Sequence, residues 1–247
     1  MKIAVVTPYF KEPTEVLLRC HQSVLSQTVS ADHFMIADGF PDAELDRINV
    51  QHVKLPRSHA DNGNTPRGIG GMLAKNEGYD FVTYLDADNW YHDSHIESML
   101  SKHHETKSEV VTSFREFYDH NDQVLDITEA AEDQLLHVDT SCFFISRSAF
   151  TLLPIWMQMP KALGPACDRV FFAAVKYYRF KFESTRKRTV AFSTQYEYHY
   201  QLAGKAAPKG TKRADCLVSV FEYLKTVDGV DDCCRSIGFW PLSLMEV

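Results

Sequence analysis

The first part of this chain alternates short apolar runs with stretches whose apolar residues recur at helical spacing. Runs at 3–7, 34–37, 50–55, 81–85 and 110–114 read as buried strands. Between the first two, Val16, Leu17, Cys20, Val24 and Leu25 follow a helical period, with Thr14 placed to cap it. Ile69, Met72, Leu73 and Asn76 carry a second helix, after a glycine-containing loop at 59–63 and with Pro66 in its first turn. Ile96, Met99 and Leu100 mark a third. This alternation constrains the chain to βαβ units and a mostly parallel sheet, since parallel neighbours need a crossover. Such sheets bind ligands outside the carboxyl ends of their strands. Thr7-Pro8-Tyr9, Asp38-Gly39 and Asp86-Ala87-Asp88 each follow a strand end, and they are expected to converge on one crevice.

The remainder is less regular. Residues 119–133 are acidic and read as a loop or hairpin, and 142–145 as a strand. Phe171, Ala174, Val175 and Tyr178 form a helical stripe with Asp168 in its first turn. A short strand at 190–192 and a late helix carried by Leu217, Val220, Phe221 and Leu224 complete the pattern. No repeat or Ser/Gly/Pro-rich linker interrupts it, so a single domain over 1–247 is expected. Composition supports a globular chain, 45% hydrophobic and 24% charged. The net charge of −7 excludes the basic footprint of a nucleic-acid binder, so a phosphate-rich ligand would need a local device. None of the six cysteines forms a CxxC pair, and Cys233 and Cys234 are adjacent, which suits reduced thiols. Met1-Lys2-Ile3 opens no secretory leader, and no run reaches the roughly 18 apolar residues of a membrane span. A cytoplasmic location is expected, with peripheral contact at the inner membrane face left open.

Leu85-Asp86-Ala87-Asp88-Asn89 sets two carboxylates at alternate positions past a buried strand. The small residue between them lets a ligand approach. Oxygen-rich pairs of this kind suit Mg²⁺ or Mn²⁺ shared with a phosphate. Alone, the pattern describes an acidic turn equally well; its strand-end position favours chemistry.

Several motifs stand in a telling order. Cys20-His-Gln-Ser-Val-Leu-Ser-Gln-Thr28 leads to Phe34-Met-Ile-Ala-Asp-Gly39, then to a helix opening with Pro66-Arg67, then to Tyr84-Leu-Asp-Ala-Asp-Asn89. In that order they resemble the opening of the inverting glycosyltransferases of family two, which have the GT-A fold. The resemblance covers roughly residues 1–115. It departs at Ala37, where Asp is usual, at Phe40, where a small residue is common, and at Gly68, where Asn is common.

The resemblance implies an α/β, Rossmann-like GT-A domain, with 1–115 binding a nucleotide sugar and 116–247 an acceptor. It implies that Thr7, Pro8 and Tyr9 grip the base and ribose, that Asp38 accepts from a uracil imide, and that Arg67 reaches the nucleotide. Asp86 and Ala87 would contact the donor, and Asp88 a Mn²⁺ or Mg²⁺ ion. His199 in Tyr196-Glu-Tyr-His199 would be a further metal ligand. An inverting transfer needs a base for the acceptor hydroxyl; Asp168 matches that position, with Cys167 where Glu is usual, and Asp139 is the rival. Trp90, Thr140 and Ser141 would shape the acceptor or sugar pocket; Trp156 suits pocket and core equally. The Gly/Lys loop at 205–213 reads as a donor lid or as a solvated basic loop, and Arg186-Lys187-Arg188 as solvated. His92 and His95 read as exposed helix-start histidines rather than a metal pair.

The expected activity is metal-dependent transfer of a sugar from a nucleotide-diphosphate donor, foremost a UDP-sugar, to an acceptor hydroxyl with inversion. Two alternatives stay open: a degenerate sugar-nucleotide-binding module or scaffold subunit, and a sugar-phosphate nucleotidyltransferase. The second lacks the glycine-rich loop it normally carries after the first strand. The residues name neither the sugar nor the acceptor, be it glycan, lipid-linked carrier, protein or small molecule.

Overall fold

All seven residues of the first strand, β1 (Ile3–Tyr9), are buried, as expected of a central strand covered on both faces. The computed structural model describes residues 1–213 and 216–245. Strand β2 (Asp32–Ala37) pairs parallel with one edge of β1, and β3 (Gln51–Lys54) pairs parallel with β2. Strand β4 (Phe81–Tyr84) takes the other edge of β1, also parallel. Helices α1 (Thr14–Leu25), α2 (Asn64–Asn76) and α3 (His95–Thr106) supply the expected βαβ pattern.

Two local expectations change. The first strand runs through Pro8, which keeps register with Ile36. The β4 ladder ends opposite Val6, so the missing N–H of Pro8 leaves no bond unmade there. Thr14 does not cap α1; Pro13 holds that position, and the Thr14 hydroxyl donates to Asp42 Oδ2 at 2.5 Å.

Beyond β4 the sheet becomes mixed. Its order is β3-β2-β1-β4-β8-β6-β9-β5, with β5 (Trp90–Tyr91), β6 (Val110–Tyr118), β8 (Phe143–Ser146) and β9 (Phe182–Ser193). A short β7 (Val124–Leu125) folds back on β6, the hairpin alternative for the acidic stretch. The long ladders are parallel; the antiparallel pairs, including β4 with β8, are short. Strand β9 is much longer than expected because its first half is exposed and basic, which hides it from an apolar search.

Helices α4 (Ala130–Asp133), α5 (Ile155–Gln158), α6 (Cys167–Tyr177), α7 (Glu197–Leu202), α8 (Cys216–Leu224) and α9 (Val227–Ser236) complete the described chain. Among the described residues, none of these helices is long and apolar enough to cross a membrane. Trp156 belongs to the core: it is fully buried and stacks on Phe171 at 4.3 Å, with the Tyr84 ring edge against it at 5.3 Å. Cys20, Cys142, Cys167, Cys233 and Cys234 are free thiols, and only the last of these is exposed.

The turn after β2 is the tightest point near the strand ends. Gly39 has φ +86°, and a Cβ there would lie 2.4 Å from the Ser58 backbone nitrogen. Gly39→Ala combines left-handed strain with backbone overlap, which should cost about 2–4 kcal/mol. Denaturant unfolding would reveal it as a lowered midpoint; an unchanged midpoint would contradict this packing.

Candidate functional site

Parallel strands β1, β2 and β4 end at one level, and their following residues border a cleft of about 430 Å³. Pro8, Tyr9, Asp38, Asp86, Ala87 and Asp88 line it, so the strand ends do converge on one crevice, and Arg67 of α2 lines it with them. Thr7 does not. It shares the face of Tyr9 but lies two residues deeper in the strand, fully buried, with its hydroxyl 2.8 Å from His33 Nε2. Tyr9 turns its hydroxyl away from the cleft, meeting His52 Nε2 at 2.6 Å and accepting from the Asp42 N–H at 2.9 Å. Burial raises this phenol to about 12, so it stays neutral.

The second wall is the loop before α2. Asp38 holds it, accepting from the His59 N–H at 3.0 Å and Ser58 Oγ at 3.2 Å, and meeting His59 Nδ1 at 2.6 Å. Asp61 Oδ2 accepts from both the N–H and the hydroxyl of Thr65, fixing the start of α2. Ala60, Asn62 and Gly63 all take left-handed conformations here. Arg67 leaves the first turn of α2, donates to Asn62 O at 2.6 Å and to Asp86 Oδ1 at 2.5 Å, and lies 5.4 Å from the Trp156 ring. Burial disfavours its charge, but the Asp86 carboxylate outweighs this and holds the guanidinium protonated.

The loop after β4 is bolted from the other half of the chain. Ser141 Oγ accepts from the Asp86 N–H at 3.1 Å and from Asn89 Nδ2 at 3.4 Å; Asn89 Oδ1 accepts from the Ser193 N–H at 3.0 Å. Ser141 therefore lies under the carboxylate loop, fully buried, instead of facing an acceptor. Trp90 is also elsewhere: as a β5 residue it sits 4.2 Å beneath the Arg19 guanidinium and 4.8 Å from Tyr118. Asp88 is half-buried and accepts from Gln195 Nε2 at 2.9 Å. Burial first, and the Asp86 charge second, push its carboxyl up to about 7.

A second cavity of about 270 Å³ adjoins the first, and Asn62, Arg67, Asp86, Asp88 and Lys212 border both. Thr140 lines it, together with Asp139, Asp168 and His199. Asp168 Oδ2 meets His137 Nε2 at 2.7 Å. Burial alone would raise the Asp168 carboxyl, but His137 brings it below the usual range. His137 itself is raised to about 9: burial opposes its charge, and Asp168 overcomes that. Behind it, Arg115 pairs with Glu129, with Glu132 at 3.0 Å and with Asp139 at 3.6 Å. Burial lifts Asp139 to about 6, against the pull of Arg115. The Cys167 thiol, in the usual place of Glu, is raised by burial to about 12 and is neutral.

His199 is buried, with Nδ1 2.6 Å from Thr194 Oγ1 and its ring on Phe117 at 4.6 Å. Burial, then Arg115, lower it to about 4, so its imidazole is neutral and suited to a metal. Among the described residues, no group of three or more His, Cys, Asp or Glu side chains is gathered around one point. His92 pairs with Glu116 at 3.0 Å, and His95 is fully buried against Tyr91, 2.8 Å from Thr189 Oγ1. They form no metal pair, and His95 is not the exposed residue expected. In the basic loop, Lys205 pairs with Asp119 at 3.6 Å, while Lys212 reaches both cavities. Arg115, Glu129 and His137 carry no signal in the sequence, because each finds its partners across irregular segments.

Asp88 gives a pH-dependent test. With its folded pKa raised above the unfolded value, ionisation opposes folding, so its contribution falls as pH rises from about 4 to about 7 and then levels. Without divalent cation, Asp88→Asn should melt progressively higher than the wild type across that window. The gain should persist at pH 8 and vanish near pH 4. Equal melting temperatures at pH 8 would contradict the assignment.

Residues 4–151 match the model of a family described as Glycosyl transferase family 2. No match was found among curated proteins. Among solved structures, TarS of S. aureus is similar. Its 1–349 fragment in complex with UDP has a TM-score of 0.60 at 14% identity, over 96% of this chain and 71% of that one. The fragment in complex with UDP-GlcNAc gives 0.60 at 12%, over 96% and 72%. A further TarS structure gives 0.60 at 13%, over 96% of this chain but only 43% of its own. At these identities the likeness shows a shared fold, the GT-A arrangement.

Proposed function

The chain belongs to glycosyl transferase family 2, and from that premise we propose that it moves a sugar from a nucleotide-diphosphate donor, foremost a UDP-sugar, to an acceptor hydroxyl with inversion. One observation carries the reading: Asp38, Arg67, Asp86 and Asp88 border one cleft, and Arg67, Asp86 and Asp88 also border the cavity that holds Asp168. The base and ribose occupy the first cleft, along Pro8 and Tyr9 and toward Asp38. The diphosphate lies where the two cavities meet, near Arg67 and Lys212, and Ala87 leaves it room. TarS structures with UDP and UDP-GlcNAc support a uridine donor by analogy of fold.

The acceptor enters the second cavity. Asp168 takes the proton of its hydroxyl as that oxygen forms a bond to the anomeric carbon. The bond from that carbon to the diphosphate breaks on the opposite face, and the electron pair leaves with the diphosphate. Asp88 and His199 are the residues that would hold Mn²⁺ or Mg²⁺, which when bound supplies Lewis-acid stabilisation of the leaving group. Arg67 and Lys212 add fixed positive charge at the same end. A cytoplasmic location follows the use of a nucleotide sugar and reduced cysteines. A second reading, a sugar-nucleotide-binding module without transfer, draws on the neutral Cys167 and the ion-paired state of Asp168.

The test is turnover of UDP-, GDP- and dTDP-sugars with Mn²⁺ and with chelator. Mn²⁺-dependent UDP release from at least one UDP-sugar is expected. Asp168→Asn should lower kcat by about 10²–10⁴-fold with UDP binding retained. Full activity in Asp168→Asn or Asp88→Asn would overturn the roles. Tight UDP binding without turnover of any donor would favour the binding module.

A further inference from the structure

Asp168 is held by two hydrogen bonds among the described residues. Its Oδ1 accepts from the Arg169 N–H at 2.7 Å, and its Oδ2 meets His137 Nε2 at 2.7 Å. His137 is buried, in the segment between α4 and β8, while Asp168 stands in the first turn of α6. The far side of the ring faces another carboxylate: Nδ1 lies 3.7 Å from Glu129 Oε2, too far for a hydrogen bond but close for a charge. Nδ1 is also buried without a hydrogen-bond partner. A ring between two carboxylates carries a proton on each nitrogen.

We propose that His137 is the positioning residue of the transfer step: as an imidazolium it orients the Asp168 carboxylate and keeps it ionised, leaving the carboxylate's free lone pairs to the acceptor. This rests on the reading of Asp168 as the base. A purely structural ion pair is the competing account. Against it, the segment carrying Glu129 and Glu132 is already tied down by Arg115, whose backbone N–H and Nε both donate to Glu132. His137 is not needed for that anchoring. What His137 alone supplies is a charged donor at the base. The groups facing the pair are Glu129, Arg115, Asp139, Arg169 and His199, and the net effect at Asp168 is a carboxylate lowered despite burial. The ion pair weakens Asp168 as a base but keeps it available in its reactive form across the neutral range.

The test compares His137→Gln and His137→Phe with the wild type, reading UDP release from the UDP-sugar that the wild type turns over. Glutamine retains an uncharged donor; phenylalanine retains only bulk. His137→Phe should lose about 100-fold in kcat, with donor KM within about twofold. His137→Gln should recover part of kcat. In both variants the acidic limb of the pH–kcat profile should move up by at least about one unit, because the neighbouring cation is gone. A lowered melting temperature with an unmoved acidic limb would make His137 structural and overturn the proposal. Wild-type activity in Asp168→Asn would instead remove the base assignment, a separable outcome. Independently of turnover, ¹⁵N-histidine NMR should find His137 as imidazolium at pH 7.5; a neutral ring would overturn the proposal.

Discussion

The site depends on the bond between Arg67 and Asp86. The guanidinium starts in α2, on the βαβ half, and rests over Trp156 from the other half. Its carboxylate partner stands on the loop after β4, whose backbone is gripped by Ser141. A buried pair of this kind contributes little net stability, because desolvation offsets most of the attraction. Its effect is geometric. It fixes the loop before α2, through Asn62, and the loop after β4 relative to each other, and the first cleft is the space between them.

The same pair divides the labour of the two carboxylates. Asp86 is satisfied by Arg67, whereas Asp88 has an amide donor and no cation within bonding distance among the described residues. Burial and the nearby Asp86 charge then raise the Asp88 carboxyl. The second cavity repeats the logic with the opposite sign. There, His137 answers Asp168 and lowers it, while Asp139, with a more distant Arg115 contact, is raised. Two aspartates on the wall of one cavity, Asp139 and Asp168, are thus shifted in opposite directions by their surroundings.

Much of this was legible in the sequence where motif and element coincide. Asp38, Arg67, Asp86 and Asp88 each sit at the end of a strand or the start of a helix, so local pattern located them. Thr7 shares the strand face of Tyr9 and Trp90 the parity of Asp88, so alternation does not separate them from the cleft residues. Thr7 lies deeper in the strand against His33, and Trp90 packs on Arg19 and Tyr118, contacts that no local pattern encodes. Ser141 escaped because its partner is Asp86, far along the chain, and no local pattern encodes that meeting. Glu129 and His137 lie in a stretch with no period, and Arg115 sits just past a register irregularity in the β6–β9 ladder, which re-aims the strand. The antiparallel insertion of β8 beside β4 likewise follows from long-range pairing rather than from its four apolar residues.

The central claim is spatial: a uridine diphosphate lies across the strand ends with its phosphates at the junction of the two cavities. A crystal structure grown with UDP and Mn²⁺ tests it most directly. The account predicts the uracil along Pro8 and Tyr9 near Asp38, and a cation joining the diphosphate to Asp88. UDP bound outside this cleft, or with its diphosphate turned away from Asp88, would contradict it.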